Sequence, residues 1–238
     1  MLHYEVTNNI ALISMNSAPV NALGLAMRQG MMSQLQIAFD DDAVKAVVFT
    51  SNLALFCGGA DIEEFKTGAL WISPNLPELI NAIENAPKLT IAAINGIAMG
   101  GALELALGCD YRIARESAKM GLPEIKLGLF PGAGGTQRLP RIAGLATATE
   151  MILAGNPIGA VQALAVGLVD RVVANDEDFI KQVLCFAADL VSSDAQRRPC
   201  GQMTVDLSEV GSDFFDQARA SIAASKGGQL AAGYCLDS

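Results

Sequence analysis

Hydrophobic residues in the first half of the chain form short continuous runs that alternate with runs of helical spacing. Residues 10–15 are almost all apolar, which is typical of a buried strand. Apolar residues then recur every three or four positions and predict an amphipathic helix. These residues are Met27, Met31, Leu35 and Ala38. A β-branched run over 44–50 predicts the next buried strand.

The same alternation continues through the middle of the chain. Leu79, Ile80 and Ile83 predict a helix, and residues 89–94 predict a strand that ends in a turn at Asn95-Gly96. A buried helix is expected over 101–107. Further strands are expected at 111–114 and 168–173, and further helices near 141–154, 160–166 and 178–191. Alternating strands and helices predict an α/β domain with mostly parallel strand pairing.

The pattern changes from about Arg197 onward. Arg197-Arg198-Pro199 indicates an exposed connector, and apolar positions with helical spacing follow it before Gly227-Gly228. These positions are Phe214, Phe215, Ala218 and Ile222. We therefore predict a core over 1–195 and a C-terminal connector and helical segment over 196–238, and the pattern leaves open whether that segment is truncated.

Composition excludes several classes of protein. The 238 residues carry 25 acidic and 16 basic side chains, a net charge of -9, and no run rich in lysine or arginine, so we expect no nucleic-acid partner. The apolar stretch 89–108 is long enough for a membrane span, but Asn95, a glycine pair and Glu104 interrupt it. Since no signal peptide is visible either, we expect no membrane partner and a cytoplasmic location.

The reactive side chains are few. Five cysteines are scattered without a C-x-x-C pair, which supports neither a disulfide framework nor a zinc site, and we expect no metal. The single histidine, His3, lies near the N-terminus, so a Ser-His or Cys-His nucleophile is excluded. Acid-base chemistry must therefore come from carboxylates, lysine or tyrosine.

Two glycine-rich turns could present backbone N–H groups to a ligand. Residues 56–61 include Gly58-Gly59, where no side chain blocks the backbone, but taken alone they are better interpreted as a simple tight turn between a strand and a helix. A helix that begins near Gly101 leaves its first N–H groups without partners inside the helix, and such an end stabilises negative charge. Glu104 in its first turn is either a favourable charge at the helix dipole or a desolvated catalytic carboxylate, and its apolar neighbours favour the second interpretation.

A second carboxylate follows in the segment Gly121-Leu122-Pro123-Glu124-Ile125. Taken alone, Glu124 is best interpreted as a solvated loop residue, because twenty positions of separation from Glu104 fix no geometry. A further glycine-rich turn covers 130–135, with Thr136 able to start a helix.

Four linked motifs resemble those of the crotonase (enoyl-CoA hydratase/isomerase) superfamily. They are F-C-G-G-A-D-I, N-G-I-A-M-G-G-A-L-E-L-A-L-G-C-D, G-L-P-E-I-K-L-G and P-G-A-G-G-T-Q-R-L-P-R. The resemblance covers about residues 5–195 and implies an α/β fold made of a spiral of ββα units with a C-terminal helical segment. Beyond 195 the chain is similar to the amino-terminal module of multifunctional fatty-acid β-oxidation enzymes. No dinucleotide-binding fingerprint is present in these 238 residues, so we expect them not to include the dehydrogenase part of those enzymes.

The resemblance implies roles for individual residues. Ala60 and Gly101 match the backbone donors that stabilise a thioester enolate in this family. Residues matching the substrate and coenzyme A groove are Gly58, Asp61, Ile62 and Gly100. By the same resemblance Glu104 helps to activate the water that adds at the β-carbon, and Glu124 exchanges the proton at the α-carbon. No cofactor is implied, because coenzyme A is part of the substrate.

The implied function is hydration of 2-enoyl-CoA thioesters in fatty-acid β-oxidation, with isomerisation of 3-enoyl to 2-enoyl-CoA as a second activity. Two alternatives stay open: another crotonase-fold acyl-CoA enzyme, such as a thioester hydrolase or decarboxylase, and a non-catalytic acyl-CoA-binding or assembly module. The resemblance also implies a homo-oligomer, with a trimer as one form, or a module of a larger chain, and a peroxisomal location if the source is eukaryotic.

Three positions bear on these implications. Ala102 replaces a third glycine that the family commonly carries, and Glu63 stands where some members carry a basic residue near the coenzyme A phosphates. Trp71 falls in the variable segment 66–78. It either helps to shape the acyl pocket or serves as an aromatic packing anchor.

Overall fold

A computed structural model describes residues 1–208, 210–226 and 230–238. Strands and helices alternate in the order β1 (Leu2–Thr7), β2 (Ile10–Met15), α1 (Leu25–Asp40), β3 (Ala46–Ser51), α2 (Glu64–Thr67), α3 (Leu76–Glu84), β4 (Leu89–Ile94), β5 (Ile97–Met99), α4 (Gly101–Gly108), β6 (Tyr111–Arg115), β7 (Lys119–Gly121), α5 (Gly135–Ala143), α6 (Leu145–Ala154), β8 (Ile158–Gly159), α7 (Ala160–Ala165), β9 (Arg171–Val173), α8 (Phe179–Ser192), α9 (Phe214–Lys226) and α10 (Leu230–Asp237). Short 3-10 turns lie at Ala69–Trp71, Glu124–Leu127 and Cys200–Gln202.

The main sheet has six strands in the order β1-β2-β3-β4-β6-β9. The hairpin β1-β2 is antiparallel, and every other neighbouring pair in this sheet is parallel. A smaller sheet, β5-β7-β8, lies beside it, with β5 parallel and β8 antiparallel to β7. The predicted α/β class with mostly parallel pairing is therefore confirmed.

Both faces of the main sheet are covered, which explains why its central strands are apolar throughout. In β2 the odd-numbered residues Ala11, Ile13 and Met15 join a core that includes α1, α3 and α4. The even-numbered Ile10 and Leu12 face the other way, onto the apolar side of α8. The continuous hydrophobic run of β2 is thus the pattern of a strand buried on both faces.

The three turns singled out in the sequence all follow neighbouring parallel strands. β3 runs parallel to β4, and β4 runs parallel to β6. Because parallel strands end at the same edge of a sheet, the segments that leave these strands meet there. Residue 57 then pairs with Ala98 of β5, and β5 pairs with β7, so the glycine turn, the start of α4 and the Glu124 turn are held together.

Element boundaries differ from the predictions in the second half of the chain. The single helix expected over 141–154 is two helices, α5 and α6, because Gly144 between them has φ +81° and ends the helical path. The strand expected over 168–173 is only Arg171–Val173. The predictions missed β1. They also missed the strands of the small sheet, β5, β7 and β8, because each of these three strands has too few residues for a clear pattern.

The expectation that Arg197-Arg198-Pro199 is an exposed connector is wrong. These residues are half-buried, because the buried carboxylate of Asp110 binds both arginines. Arg197 Nε donates to Asp110 Oδ2 at 3.0 Å, and the backbone N–H of Arg198 donates to Oδ1 at 2.8 Å. The predicted division at residue 195 stays a prediction. The predicted helix after the connector is confirmed as α9, whereas Gly227-Gly228 lie outside the described residues.

Among the helices that the structure describes, none combines the length and the apolar character needed to span a bilayer.

Candidate active site

The glycine turn after β3 lies directly against the start of α4. Gly59 has φ +103°, and a Cβ at this position would lie 2.6 Å from the carbonyl oxygen of Met99. Only glycine allows both this backbone conformation and this close approach. The turn therefore places the next residue, Ala60, beside Gly101.

The backbone amides of Ala60 and Gly101 lie close together where the glycine turn meets the start of α4. A Cβ placed on Gly101 would lie 3.3 Å from the amide nitrogen of Ala60, and one placed on Gly59 would lie 3.5 Å from the amide nitrogen of Gly101. Neither N–H donates a hydrogen bond to an acceptor in 1–208, 210–226 or 230–238. Two free donors at this spacing can bind one oxygen on which negative charge develops. The structure therefore brings together the two predicted donors.

Glu104 lies one turn into α4 and is almost completely buried, with 2% of its surface exposed. Its Oε1 accepts hydrogen bonds from the backbone N–H groups of Ala133 and Gly135, each at 2.8 Å. Burial raises the pKa of this carboxyl group, while the two N–H donors and the nearby Arg138 act in the opposite direction. The interpretation of Glu104 as a solvated residue at a helix start is excluded.

Glu124 begins the 3-10 turn that follows β7 and is partly buried. Its Oε1 lies 3.0 Å from where a Cβ of Gly100 would be, which places the carboxylate next to the start of α4. Its Oε2 is buried and has no hydrogen-bond partner in the part of the chain that the structure describes. Burial and the neighbouring charge of Glu104 raise the pKa of Glu124 to about 7. The interpretation as a solvated loop carboxylate is therefore wrong, because the parallel strands fold this turn inward.

The two carboxylates lie beside the two donors and interact electrostatically. Two acids that interact in this way do not ionise independently, so their protons are released by the pair and not by either group alone. Near neutral pH this pair can offer one ionised carboxylate and one carboxylic acid, which suits the addition of a proton and a nucleophile to adjacent carbons.

Of the residues predicted to line the substrate groove, Gly58, Asp61 and Ile62 flank Ala60 and are exposed or partly exposed, whereas Gly100 is buried just before α4. Gly58 is exposed and its N–H donates to the carbonyl of Val20 at 2.8 Å, while Ile62 is 63% exposed. The Asp61 carboxylate accepts the N–H of Glu63 at 3.0 Å. Glu63 itself forms an exposed ion pair with Lys66. The surface position of Gly58, Asp61 and Ile62 is compatible with ligand contact, and their predicted roles remain predictions.

The predictions missed a buried arginine that holds the segment after Ile62. Arg28 of α1 is 1% exposed and forms an ion pair with Glu64 at 2.7 Å. Its guanidinium also donates to the carbonyl oxygens of Leu23, Ala69 and Pro74. Trp71 in this segment is 77% exposed, so it is not a packing anchor within the described chain. The only clue in the sequence was an arginine within an apolar helical pattern.

A second buried ion pair lies behind Glu104 and was also missed. Arg138 of α5 binds Glu84 of α3 at 2.6 Å, and both side chains are about nine-tenths buried. Sequence patterns gave no indication of this contact, because 54 residues separate the partners.

The chain matches the family model described as "Enoyl-CoA hydratase/isomerase" over residues 5–209. It is 40% identical over 237 residues to a "Peroxisomal bifunctional enzyme" of Danio rerio, covering 99% of this chain and 32% of that protein. It is 38% identical over 192 residues to a "Probable enoyl-CoA hydratase" of Bacillus subtilis (strain 168), covering 79% of this chain and 74% of the relative. The chain thus spans about a third of the length of the bifunctional relative.

A solved structure shares the fold. DspI of Pseudomonas aeruginosa aligns with a TM-score of 0.75 at 37% identity, covering 83% of this chain and 76% of that one. The match agrees with the fold class that the sequence motifs implied.

Proposed function

The chain belongs to the enoyl-CoA hydratase/isomerase family, and we propose that it adds water across the double bond of 2-enoyl-CoA thioesters. The observation that supports this proposal most directly is the pair of unlike carboxylates beside two free backbone donors. Family members that hydrate need a base for water, an acid for carbon and a site for the enolate oxygen. All three can be assigned to residues of this chain.

The proposed reaction runs through an enolate. The oxygen of water forms a bond to the β-carbon, and the π electrons move toward the thioester carbonyl. The carbonyl oxygen accepts hydrogen bonds from the backbone N–H groups of Ala60 and Gly101. Such preorganised donors each contribute about 3 kcal/mol to the transition state. Glu104 takes a proton from the water, and Glu124 gives its proton to the α-carbon as the carbonyl reforms. Before the next turnover Glu104 has to release the proton that it took from water, and Glu124 has to regain one.

We also propose that the site moves a 3-enoyl double bond to the 2 position. The unpartnered oxygen of Glu124 supports this second activity, because one group with a pKa near 7 can both take a proton from carbon and return it. Water plays no part in this reaction, so the role of Glu104 as a base is not required.

The wider setting is proposed from the relatives alone. The names of the relatives place them in peroxisomal bifunctional and fatty-acid β-oxidation multifunctional proteins. We therefore propose that this chain acts on acyl-CoA in fatty-acid β-oxidation, as part of a larger multifunctional protein or as an oligomer, and in the peroxisome if it is eukaryotic.

The test is loss of the conjugated enoyl-thioester absorbance on incubation with 2-enoyl-CoA substrates of several chain lengths. We expect Glu104→Gln and Glu124→Gln each to lower the hydration rate by about 10²- to 10⁴-fold, since each removes one proton-transfer group. Glu150→Gln is the matched control, because Glu150 is an exposed glutamate of α6. It should retain the rate of the unsubstituted protein.

Product identification by mass spectrometry separates the remaining alternatives. A product heavier than the substrate by one water supports hydration. A free acid or loss of carbon dioxide would replace the proposal with thioester hydrolysis or decarboxylation. Binding of acyl-CoA without any turnover would favour a non-catalytic module.

A further inference from the structure

The loop that binds Glu104 is itself held from behind by a buried guanidinium. The carbonyl oxygen of Ala133 accepts a hydrogen bond from Arg138 Nη1 at 2.9 Å, and the N–H of the same residue donates to Glu104. One peptide segment thus lies between the arginine and the carboxylate, and both partners fix its position.

The loop fits tightly in this gap. Gly134 has φ +98°, and a Cβ there would lie 2.1 Å from Arg138 Nη1. A Cβ on Gly135 would lie 3.0 Å from Glu104 Oε1. The two glycines let the backbone pass between the guanidinium and the carboxylate, so a shift of Arg138 would be transmitted directly to the N–H donors.

Arg138 is in turn held by side chains of α3. Its Nε and Nη2 both donate to Glu84 Oε2, at 2.9 and 2.6 Å, and Nη2 also donates to Asn81 Oδ1 at 3.0 Å. This forked geometry fixes the plane of the guanidinium, which a lysine cannot reproduce.

We propose that Arg138, oriented by Glu84, is a positioning residue for Glu104, because it fixes the Ala133–Gly135 loop whose N–H groups bind that carboxylate. The inference rests on the proposed function in so far as Glu104 is the base for water. It assigns the buried ion pair a role in the geometry of the site in addition to its role in stability.

The electrostatic surroundings are consistent with this role. Charged groups that face the Glu104 carboxylate are Arg138 from α5 and Glu124 from the 3-10 turn, and Glu84 of α3 is neutralised by its contact with Arg138. The positive charge of Arg138 favours the ionised form of Glu104, as do the two N–H donors that it holds in place. Removing Arg138 would therefore remove its positive charge and would also loosen the two N–H donors that bind Glu104.

The test compares Arg138→Gln, Arg138→Lys and the unsubstituted protein in two measurements. The first is the pKa of Glu104, from the carboxyl infrared band that disappears in Glu104→Gln. The second is the kcat and KM of hydration. We expect Arg138→Gln to raise the Glu104 pKa by about one unit and to lower kcat about 10- to 100-fold, with KM changed less than about threefold. For Arg138→Lys, both the Glu104 pKa and kcat should lie between those of Arg138→Gln and the unsubstituted protein. Lysine keeps the positive charge but cannot form the forked hydrogen bonds to Glu84.

Arg112→Lys is the matched control, because Arg112 is also buried, also paired with a carboxylate (Asp170), and does not contact the Ala133–Gly135 loop. It should lose stability while the Glu104 pKa and kcat stay unchanged. Glu84→Gln provides a milder variant if Arg138→Gln does not fold, and it should move both readouts in the same direction as Arg138→Lys.

An unchanged Glu104 pKa and kcat in folded Arg138 and Glu84 variants would overturn the inference. Changes in the Glu104 pKa and kcat as large in Arg112→Lys as in the Arg138 variants would also overturn it, because they would show a general effect of destabilisation. If the unsubstituted protein hydrates no substrate, the proposed function fails, whereas the infrared titration still decides whether Arg138 controls Glu104.

Discussion

Glu104 and Glu124 are the same residue type in one site, yet their surroundings are opposite in character. Glu104 is buried under the Ala133–Gly135 loop and accepts hydrogen bonds from two backbone N–H groups of that loop. Glu124 sits at the start of a short turn, with one buried oxygen that no donor in the described chain contacts. Burial raises the pKa of both groups. Two backbone N–H groups and Arg138 oppose this rise at Glu104, whereas a single backbone N–H group, its own, opposes it at Glu124.

The difference teaches that backbone amides, and not the identity of the side chain, separate the two roles. Donors stabilise an ionised carboxylate, whereas a buried carboxyl with fewer donors keeps its proton to higher pH. The difference in donors supports the proposed roles of Glu104 as the base and Glu124 as the acid. The mechanism of hydration needs this asymmetry, because proton removal from water and proton delivery to carbon occur at two ends of one double bond.

The largest effect that separates the two glutamates is expected in isomerisation. With a 3-enoyl-CoA substrate, Glu124→Gln should lower the rate about 10²- to 10⁴-fold, because it removes the group that moves the proton. Glu104→Gln should change that rate by less than about tenfold, while it lowers the hydration rate by about 10²- to 10⁴-fold. Appearance of the conjugated absorbance measures the reaction. Equal losses in both variants would show that the two carboxylates act as one unit.

Blocking the shared donors should remove the distinction between the two activities. Gly101→Ala would place a methyl group 3.3 Å from the Ala60 amide nitrogen and 2.6 Å from the Leu76 side chain. We expect hydration and isomerisation to fall by a similar factor of about 10² to 10³, since both pass through an enolate.

Gly159→Ala is the matched control for that substitution, because a Cβ at Gly159 meets open space. It should retain both activities. A Gly101→Ala protein that loses one activity and keeps the other would contradict a common enolate site.

A smaller effect is expected in stability. At pH values above the pKa that Glu124 has in the unfolded chain, its buried carboxyl group lowers the free energy of unfolding. Burial raises this pKa from 4.5 to about 7, so between these values the folded chain binds more protons than the unfolded chain. The free energy of unfolding therefore decreases as pH rises through this window. Because the side chain is only partly buried, Glu124→Gln should be more stable by roughly 2 kcal/mol at pH 8.

Urea unfolding of both proteins from pH 4 to pH 8 measures this difference. The gap in the free energy of unfolding should be small near pH 4 and should open as pH approaches 7. A gap that does not change with pH would show that Glu124 titrates normally in the folded protein.

Local patterns in the sequence predicted β2, β3 and β4 of the main sheet, because each of these strands is buried throughout and almost continuously apolar. They missed β1, the edge strand, which carries polar residues and is partly exposed. They did not predict the small sheet, whose strands have three residues or fewer. Nor could they separate α5 from α6, since the division depends on the backbone conformation of a single glycine, Gly144.

The candidate site was predicted to a different degree for each residue. Motif spacing selected Glu104, Glu124, Ala60 and Gly101, and the parallel strands bring them together. The partners of Glu104 could not be predicted, because Ala133 and Gly135 donate through the backbone and have no side-chain signature. Arg138 and Glu84 meet only through the packing of α5 on the rest of the chain, which no local pattern encodes.

The half-buried connector has a consequence for mechanical load. Glu84 uses Oε2 to hold Arg138 and Oε1 to accept the backbone N–H of Gly201. Tension applied to the polypeptide beyond residue 201 therefore acts on the same carboxylate that orients the support of Glu104. A load placed on the chain close to Gly201 would therefore reach Arg138 and, through the Ala133–Gly135 loop, the proposed base Glu104, whereas a load taken up by a flexible spacer would not.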